Sequence, residues 1–488
     1  MCHHSRRPVT SSENVTQLLH RLTSYEPGRE WDEAIDDERI VRDLEVNDWN
    51  RLPWWHKRYD ESLERVPLPR DLPPTEAAAT AVLAGVAQVP DAPIDLGPLG
   101  RLLHLSAGVV RVSERRGRRI PFRAAGSAGA RFPLEVYVAI PAGGGLPPGV
   151  HWYHPNDHAF VTVGPPPLGE APAVIVTGVP WRTGWRYRER GFRHVYWDAG
   201  TMLAQQLALA DSAGIATGLY SRFPDAVVTE LVGADGVHEF PVAVLSLADG
   251  DPALTPTGRA TSGEVDGAPL EFPLVTAAQH AADVDGLGPA WSRGEPVAAA
   301  EGVAGGEPVE EVILRRGSQR LMDPGRALPR ELLVSSMAAA LRGVDVSHWV
   351  AVHGVYNVKP GLYRWPELDA PVRPGSLRDE VYRICLDQGL GRDAAFVVIA
   401  ATDVTAVSER GYREAQLAAG VVEGRLHLMA YALGAAASGM TFMDSEVSAL
   451  LGERVHALLF TCVGVPEYVS GPGGRPGSPA IVRQVVSR

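Results

Sequence analysis

The chain has 488 residues, 45% of them hydrophobic, and a formal net charge of −12. That length suggests two or three domains with ample material for a core, and the acidic balance argues against general affinity for nucleic acid or anionic membranes. The three cysteines, Cys2, Cys385 and Cys462, form no C-x-x-C pair. This speaks against a structural zinc site or a disulfide framework and suits a reducing cytoplasm. No uncharged apolar run reaches the ~18 residues of a membrane helix, and residues 1–7 lack the apolar stretch of a signal peptide. A cytoplasmic location is expected.

Residues 1–75 are rich in Trp, Pro and charge. Trp49, Trp54, Trp55 and Tyr59 lie beside Pro53, which predicts an extended arm clamped onto the main body. The His3–His4 pair reads as a frayed polar terminus rather than a metal site. Residues 76–248 read as one α/β unit, with strands at Leu134–Ile140 and 174–177 and a long helix over 197–213 that stops at Gly214. The cluster Arg115, Arg116, Gly117, Arg118 and Arg119 predicts a solvated hairpin tip. Residues 249–308, dense in Gly, Pro, Ala and acids, have the composition of a linker, with local order near 272–275. Residues 309–488 read as a second α/β unit.

An internal repeat organises the chain. Glu189-Arg190-Gly191-Phe192-Arg193 returns as Glu409-Arg410-Gly411-Tyr412-Arg413. Gly200 then returns as Gly420, Gly214 as Gly434, and Leu231-Val232-Gly233 as Leu450-Leu451-Gly452. Upstream, Tyr137-Val138-Ala139-Ile140 followed by Pro148-Gly149 matches Trp349-Val350-Ala351-Val352 followed by Pro360-Gly361. A duplicated unit of domain size suggests a dimer fused into one chain.

What fails to repeat is more specific. The second half opens with Leu314-Arg315-Arg316-Gly317-Ser318-Gln319-Arg320, where the first half has Leu83-Ala84-Gly85-Val86-Ala87-Gln88 and no cation. The first half carries a small-residue loop, Gly126-Ser127-Ala128-Gly129-Ala130, without counterpart in the second.

Arg315, Arg316, Ser318 and Arg320 suit an anion, because guanidinium forks match phosphate oxygens; a solvated helix start is the competing interpretation. The Gly126–Ala130 loop would let backbone N–H groups approach a flat ring, or simply make a turn. Ser438, Gly439 and Met440 follow the second long helix, either as its C-terminal cap or close to a cofactor edge. Tyr187 lies among Arg186, Arg188 and Arg190. Such cations favour the phenolate and would lower its pKa, making Tyr187 a candidate proton-transfer group. P-loop, zincin, nucleophile-elbow and dinucleotide-binding motifs are absent from the sequence.

These segments together resemble SagB-type dehydrogenases of the nitroreductase superfamily, over most of residues 60–250 and 310–480. The resemblance implies an α+β protein, a tandem of two nitroreductase-like halves forming an intramolecular pseudo-dimer, each with a central antiparallel sheet flanked by helices. It implies FMN bound between the halves. Arg315, Arg316, Ser318 and Arg320 would hold the phosphate, with Arg475 as a further contact. Gly126, Ser127, Ala128, Gly129 and Ala130 would line the isoalloxazine from one half, and Ser438, Gly439 and Met440 from the other. Since each half has lost what the other kept, one FMN per chain is expected.

The implied activity is a dehydrogenase acting on a peptide or other natural-product substrate, of the azoline-to-azole type. Tyr187 and Arg186 would be the catalytic groups, oxygen a plausible electron acceptor, and other biosynthetic enzymes possible partners. The family typically has Lys where this chain has Arg186, and an arginine cannot readily release a proton. Alternatives are a NAD(P)H-dependent nitro, quinone or ene reductase, a non-catalytic flavin- or peptide-binding partner, and a fused pseudo-dimer without cofactor.

Overall fold

The computed structural model describes residues 13–28, 37–298, 306–483 and 485; Cys2 and the His3–His4 pair lie outside them. Each half is built on a central antiparallel hairpin. Strand Leu134–Ile140 is buried along its whole length and pairs with Gly149–His154, Ile140 facing Gly149. Strand Ser347–Val352 pairs with Gly361–Arg364, Val352 facing Gly361. The repeated sequence thus returns in the same register. Covered on both faces, these strands carry near-continuous apolar runs rather than an alternation. Strand Ala173–Gly178 extends the first hairpin and Phe396–Thr402 the second, within sheets of seven and six strands. The mixed α+β architecture is the one expected.

A third, small sheet joins the halves. Val109–Arg115 and Arg118–Arg123 form a hairpin whose turn residues Arg116 and Gly117 both have positive φ, 51° and 71°. That is the backbone of a tight two-residue turn matched to strand twist. Ala480–Ile481 from the far end of the chain adds in parallel beside Val109–Arg115.

Between the two large sheets lie two long helices, Gly191–Asp211 and Glu409–Ala432. They cross at the repeated glycines. A Cβ on Gly200 would fall well inside contact distance of the Leu417 carbonyl and the Val421 nitrogen, and one on Gly420 inside that of the Trp197 backbone. Only glycine permits two backbones to approach this closely. The first helix begins before the expected residue 197, and Arg190 and Arg193 at its start are buried.

Their burial has a reciprocal cause. Arg190 and Arg193 of the first half both pair with Asp444 of the second, each at 2.6 Å. Arg410 and Arg413 of the second half pair with Asp225 of the first, Arg410 at 2.9 Å. Each aspartate opens a helix, Asp444–Leu451 or Asp225–Val232, where the helix dipole also favours a carboxylate. The same guanidiniums donate to carbonyls at the ends of two short helices. Arg190 and Arg193 reach Thr23 and His20 beside Val15–Leu22. Arg410 and Arg413 reach Ala282 and Gln279 beside Pro273–His280. These two short helices therefore occupy corresponding places, and the structural repeat extends to them. Pro273–His280 lies in the segment whose composition resembles a linker, yet Phe272, Leu274, Val275 and Ala278 are packed in the first-half core.

Strand Arg65–Pro67 adds to the edge of the first-half sheet, and the arm upstream of it crosses that half. Trp185 Nε1 donates to the Asp48 carbonyl at 2.9 Å, and the Trp54 backbone N–H donates to Asp266 at 2.9 Å. Among the described residues no helix is long and apolar enough to cross a membrane.

Candidate functional site

A cavity of about 370 Å³ opens at the junction of the halves, within the usual size range of small-molecule sites. Its wall includes Gly126, Ser127, Ala128, Gly129 and Ala130, together with Arg186, Tyr187, Ser318, Arg320, Ser438, Gly439 and Met440. The structure thus brings together four segments separated in sequence. Arg315, Arg316 and Arg475 are not among the lining residues. Arg315 instead pairs with Glu307 and donates to the Tyr431 carbonyl, while Arg475 is exposed in a turn with Ser478.

The small-residue loop is held in a demanding conformation. Ala130 and Phe132 have φ of 53° and 49°, a region that costs energy for residues with a side chain. Ser127 fixes it: its hydroxyl donates to Asp198 at 2.5 Å and accepts from the Phe132 N–H at 2.7 Å. The Ala128 N–H also donates to Asp198, at 2.9 Å. At one end of the loop, a Cβ on Gly126 would lie 3.4 Å from Arg316 Nη1 and 3.8 Å from Ser318 Oγ. At the other end, a Cβ on Gly129 would meet Arg186 Cδ at 2.6 Å and the Tyr187 hydroxyl at 2.7 Å.

Arg316 is 3% exposed. It donates to the Ala124 carbonyl and, at 3.2 Å, to His427 Nδ1. Among the described residues its Nε has no partner, and no carboxylate lies within ion-pair distance of Arg316 or Arg320. Burial, with Arg316 adjacent, lowers His427 to about 3, so the imidazole accepts as a neutral ring and leaves the guanidinium charge uncompensated. The segment is anchored by the Gln319 N–H, which donates to the Ala437 carbonyl at 3.2 Å, and by the Tyr431 hydroxyl, which donates to the Gly317 carbonyl at 2.9 Å.

Tyr187 stacks on His194, ring centroids 4.1 Å apart and planes 12° from parallel. His194 Nδ1–H donates to the Arg190 carbonyl at 3.0 Å, and burial near Arg190 lowers its pKa to about 3. The expectation that neighbouring cations lower the Tyr187 pKa does not hold. Burial raises it, outweighing Arg186, Arg320 and Arg131, because desolvating a phenolate costs more than these three cations return.

Two acids that sequence reading did not single out also line the cavity. Burial raises Asp198 to about 7 despite the bonds from Ser127 and Ala128. Glu423 rises to about 8 through burial and the nearby Asp198. The repeat held a signal for both: at corresponding positions the other long helix carries Ala418 and Leu203. An acid in one copy facing Ala or Leu in the other marks a departure from core packing. Since both folded pKa values exceed the unfolded value of ~4, the folded state binds extra protons between about pH 4 and 8. Stability therefore falls as pH rises through that window and levels off above it, by at most ~1.4 kcal/mol per pH unit for each group. Asp198→Asn is expected to make the slope shallower, measured by urea unfolding from pH 5 to 9.

The pseudo-symmetric position is filled by the chain itself. There, strand Gly218–Tyr220 corresponds to Ala436–Met440. The Trp291 N–H donates to the Leu219 carbonyl at 2.7 Å, and its indole N–H to Ser221 at 2.5 Å. The Arg342 guanidinium lies against Gly85 and donates to the Leu83 carbonyl at 2.7 Å.

No family model matches the chain. Over 168 residues it is 28% identical to a protein of Methanocaldococcus jannaschii named as a candidate nitroreductase, an alignment spanning 31% of this chain and 80% of that protein. The crystal structure of a candidate nitroreductase from Anabaena variabilis superposes on 93% of this chain and 100% of its own, with a TM-score of 0.71 at 22% identity. The fold is thus nitroreductase-like over nearly the whole chain.

Proposed function

We propose that the chain is an FMN-dependent oxidoreductase with one flavin per chain, and that it oxidises a peptide-derived or other natural-product substrate in the manner of an azoline dehydrogenase. The observation that carries this is the convergence on one cavity of Ser318 and Arg320, a small-residue loop from the other half and the strand bearing Ser438, Gly439 and Met440, with the buried Arg316, which has no carboxylate partner among the described residues, behind Gly126. Arg316 and Arg320 would take the phosphate, whose charge their lack of carboxylate partners invites. The Gly126–Ala130 loop and Ser438–Met440 would flank the ring from opposite halves. FMN supplies reversible hydride chemistry when bound.

The chain's own groups would manage the proton. Tyr187 holds its proton firmly in the resting site, and Arg186 and Arg131 lower the cost of releasing it to solvent or to a neighbouring acceptor. Asp198 and Glu423, near 7 and 8, are poised to exchange protons close to neutral pH. The aromatic arm contributes Trp49 and Asn47 to the cavity wall. Filling of the pseudo-symmetric position by Trp291 and Arg342 supports a single flavin.

Purification, a visible absorption spectrum and flavin-to-chain stoichiometry test this reading. One flavin per chain is expected; two, or a colourless protein that takes up no FMN, would overturn it. Aerobic oxidation of a thiazoline peptide without nicotinamide is the expected activity, and turnover only with NAD(P)H would replace it with the reductase alternative.

A further inference from the structure

We propose that this cavity recognises its substrate by a carboxylate, with Arg131 as the anchor and Arg186 as the second cation, a substrate class that rests on reading the cavity as the FMN site. Arg131 is 5% exposed and lines the cavity. Its guanidinium lies between the rings of Trp55 and Trp185, 4.5 and 4.6 Å from their centroids. Nε donates to the Ala130 carbonyl at 3.2 Å, so the terminal N–H groups are what it has left to offer. Two such groups side by side match the two oxygens of a planar carboxylate.

The contrast with other buried arginines is informative. Arg182 pairs with Glu135, Arg101 with Glu310, Arg190 and Arg193 with Asp444, and Arg410 and Arg413 with Asp225. Among the described residues neither Arg131 nor Arg186 has a carboxylate within ion-pair distance. Burial lowers Arg131 to about 9, and Arg186 beside it acts in the same direction. Two adjacent cations without an anion are costly to keep in a buried wall. Asp198 and Glu423 form no ion pair with either among the described residues, and burial draws both toward the protonated form.

Nor is this the phosphate holder. Arg316 and Ser318 meet the Gly126 end of the small-residue loop, whereas Arg186 and Tyr187 meet the Gly129 end, so the two cationic groups address different anions. Trp49, Trp185 and the Tyr187–His194 stack add flat apolar walls, suited to a planar body beside the acid.

The test is calorimetric titration of the flavin-loaded full chain with benzoate against benzamide, and with N-acetylphenylalanine against its amide. At least one acid is expected to bind ~10-fold or more tightly than its neutral isostere. Arg131→Gln is expected to abolish that preference and Arg131→Lys to retain part of it, with flavin content unchanged in both. Preference for benzoate alone indicates small aromatic acids, and for N-acetylphenylalanine alone a peptide carboxyl end. Equal affinity of acids and amides, no binding of either acid, or an acid preference intact in Arg131→Gln overturns the proposal. If the wild-type chain carries no flavin, the FMN reading fails separately, and the same titration of the colourless protein still decides the carboxylate.

Discussion

Replacing Arg316 with Ala is expected to yield protein that has lost its flavin, whereas Arg315→Ala is expected to keep it. The two neighbours differ in what they face. Arg315 is already paired with Glu307. Among the described residues Arg316 is buried with an unpartnered Nε and no carboxylate within ion-pair distance, its terminal nitrogens donating to a carbonyl and a neutral imidazole. A charge-assisted bond of this kind contributes up to about 3 kcal/mol, so flavin affinity is expected to fall ~100-fold. Flavin retained through gel filtration, read against the protein absorbance, measures this directly. Undiminished flavin in Arg316→Ala would remove Arg316 from the phosphate site.

The second large effect concerns the clamp between the halves. Asp444→Asn removes the only carboxylate within ion-pair distance of Arg190 and Arg193 among the described residues, and Asp225→Asn does the same for Arg410 and Arg413. Breaking a buried pair by removing one partner costs ~3–5 kcal/mol, because the remaining charge stays desolvated. Each substitution is expected to destabilise the chain by about that amount in urea unfolding. Asp444→Asn also weakens the bond accepted from the Tyr25 N–H, and Asp225→Asn the one from Gln279. Each is therefore expected to increase proteolysis near the corresponding short helix, Val15–Leu22 or Pro273–His280. Asp198 and Glu423 provide the opposite case, acids whose burial costs stability as pH rises.

Much of this protein was legible in local sequence. The hairpins returned in register because strand pairing follows apolar runs and turn residues, which are neighbours in the chain. Gly200 and Gly420 stood out because a glycine repeated inside a helix needs a packing reason. The Gly126–Ala130 loop and the Leu314–Arg320 segment were visible as places where one copy departs from the other, and Ser438–Met440 as the residues that follow the second long helix; Gly126–Ala130, Ser318, Arg320 and Ser438–Met440 line one cavity. The composition of residues 249–308 misled in one respect. The helix Pro273–His280 is short, and its apolar residues face a core supplied by distant segments.

The remainder depended on burial and on pairing across the halves. Nothing local distinguishes Arg315 from Arg316, and only packing turns one toward Glu307 and seals the other without a counter-ion. Arg190 and Arg193 resemble surface charges until Asp444, some 250 residues away, closes on them. Tyr187 sits among arginines in the sequence, but its proton affinity is set by how much water the fold removes. Local sequence carries residue type, periodicity and repetition, and so specified two like halves and the segments in which they differ. Desolvation and long-range partnership arise only when distant segments meet, and these decided which arginines are buried without a carboxylate partner among the described residues and where the cavity at the junction of the halves lies.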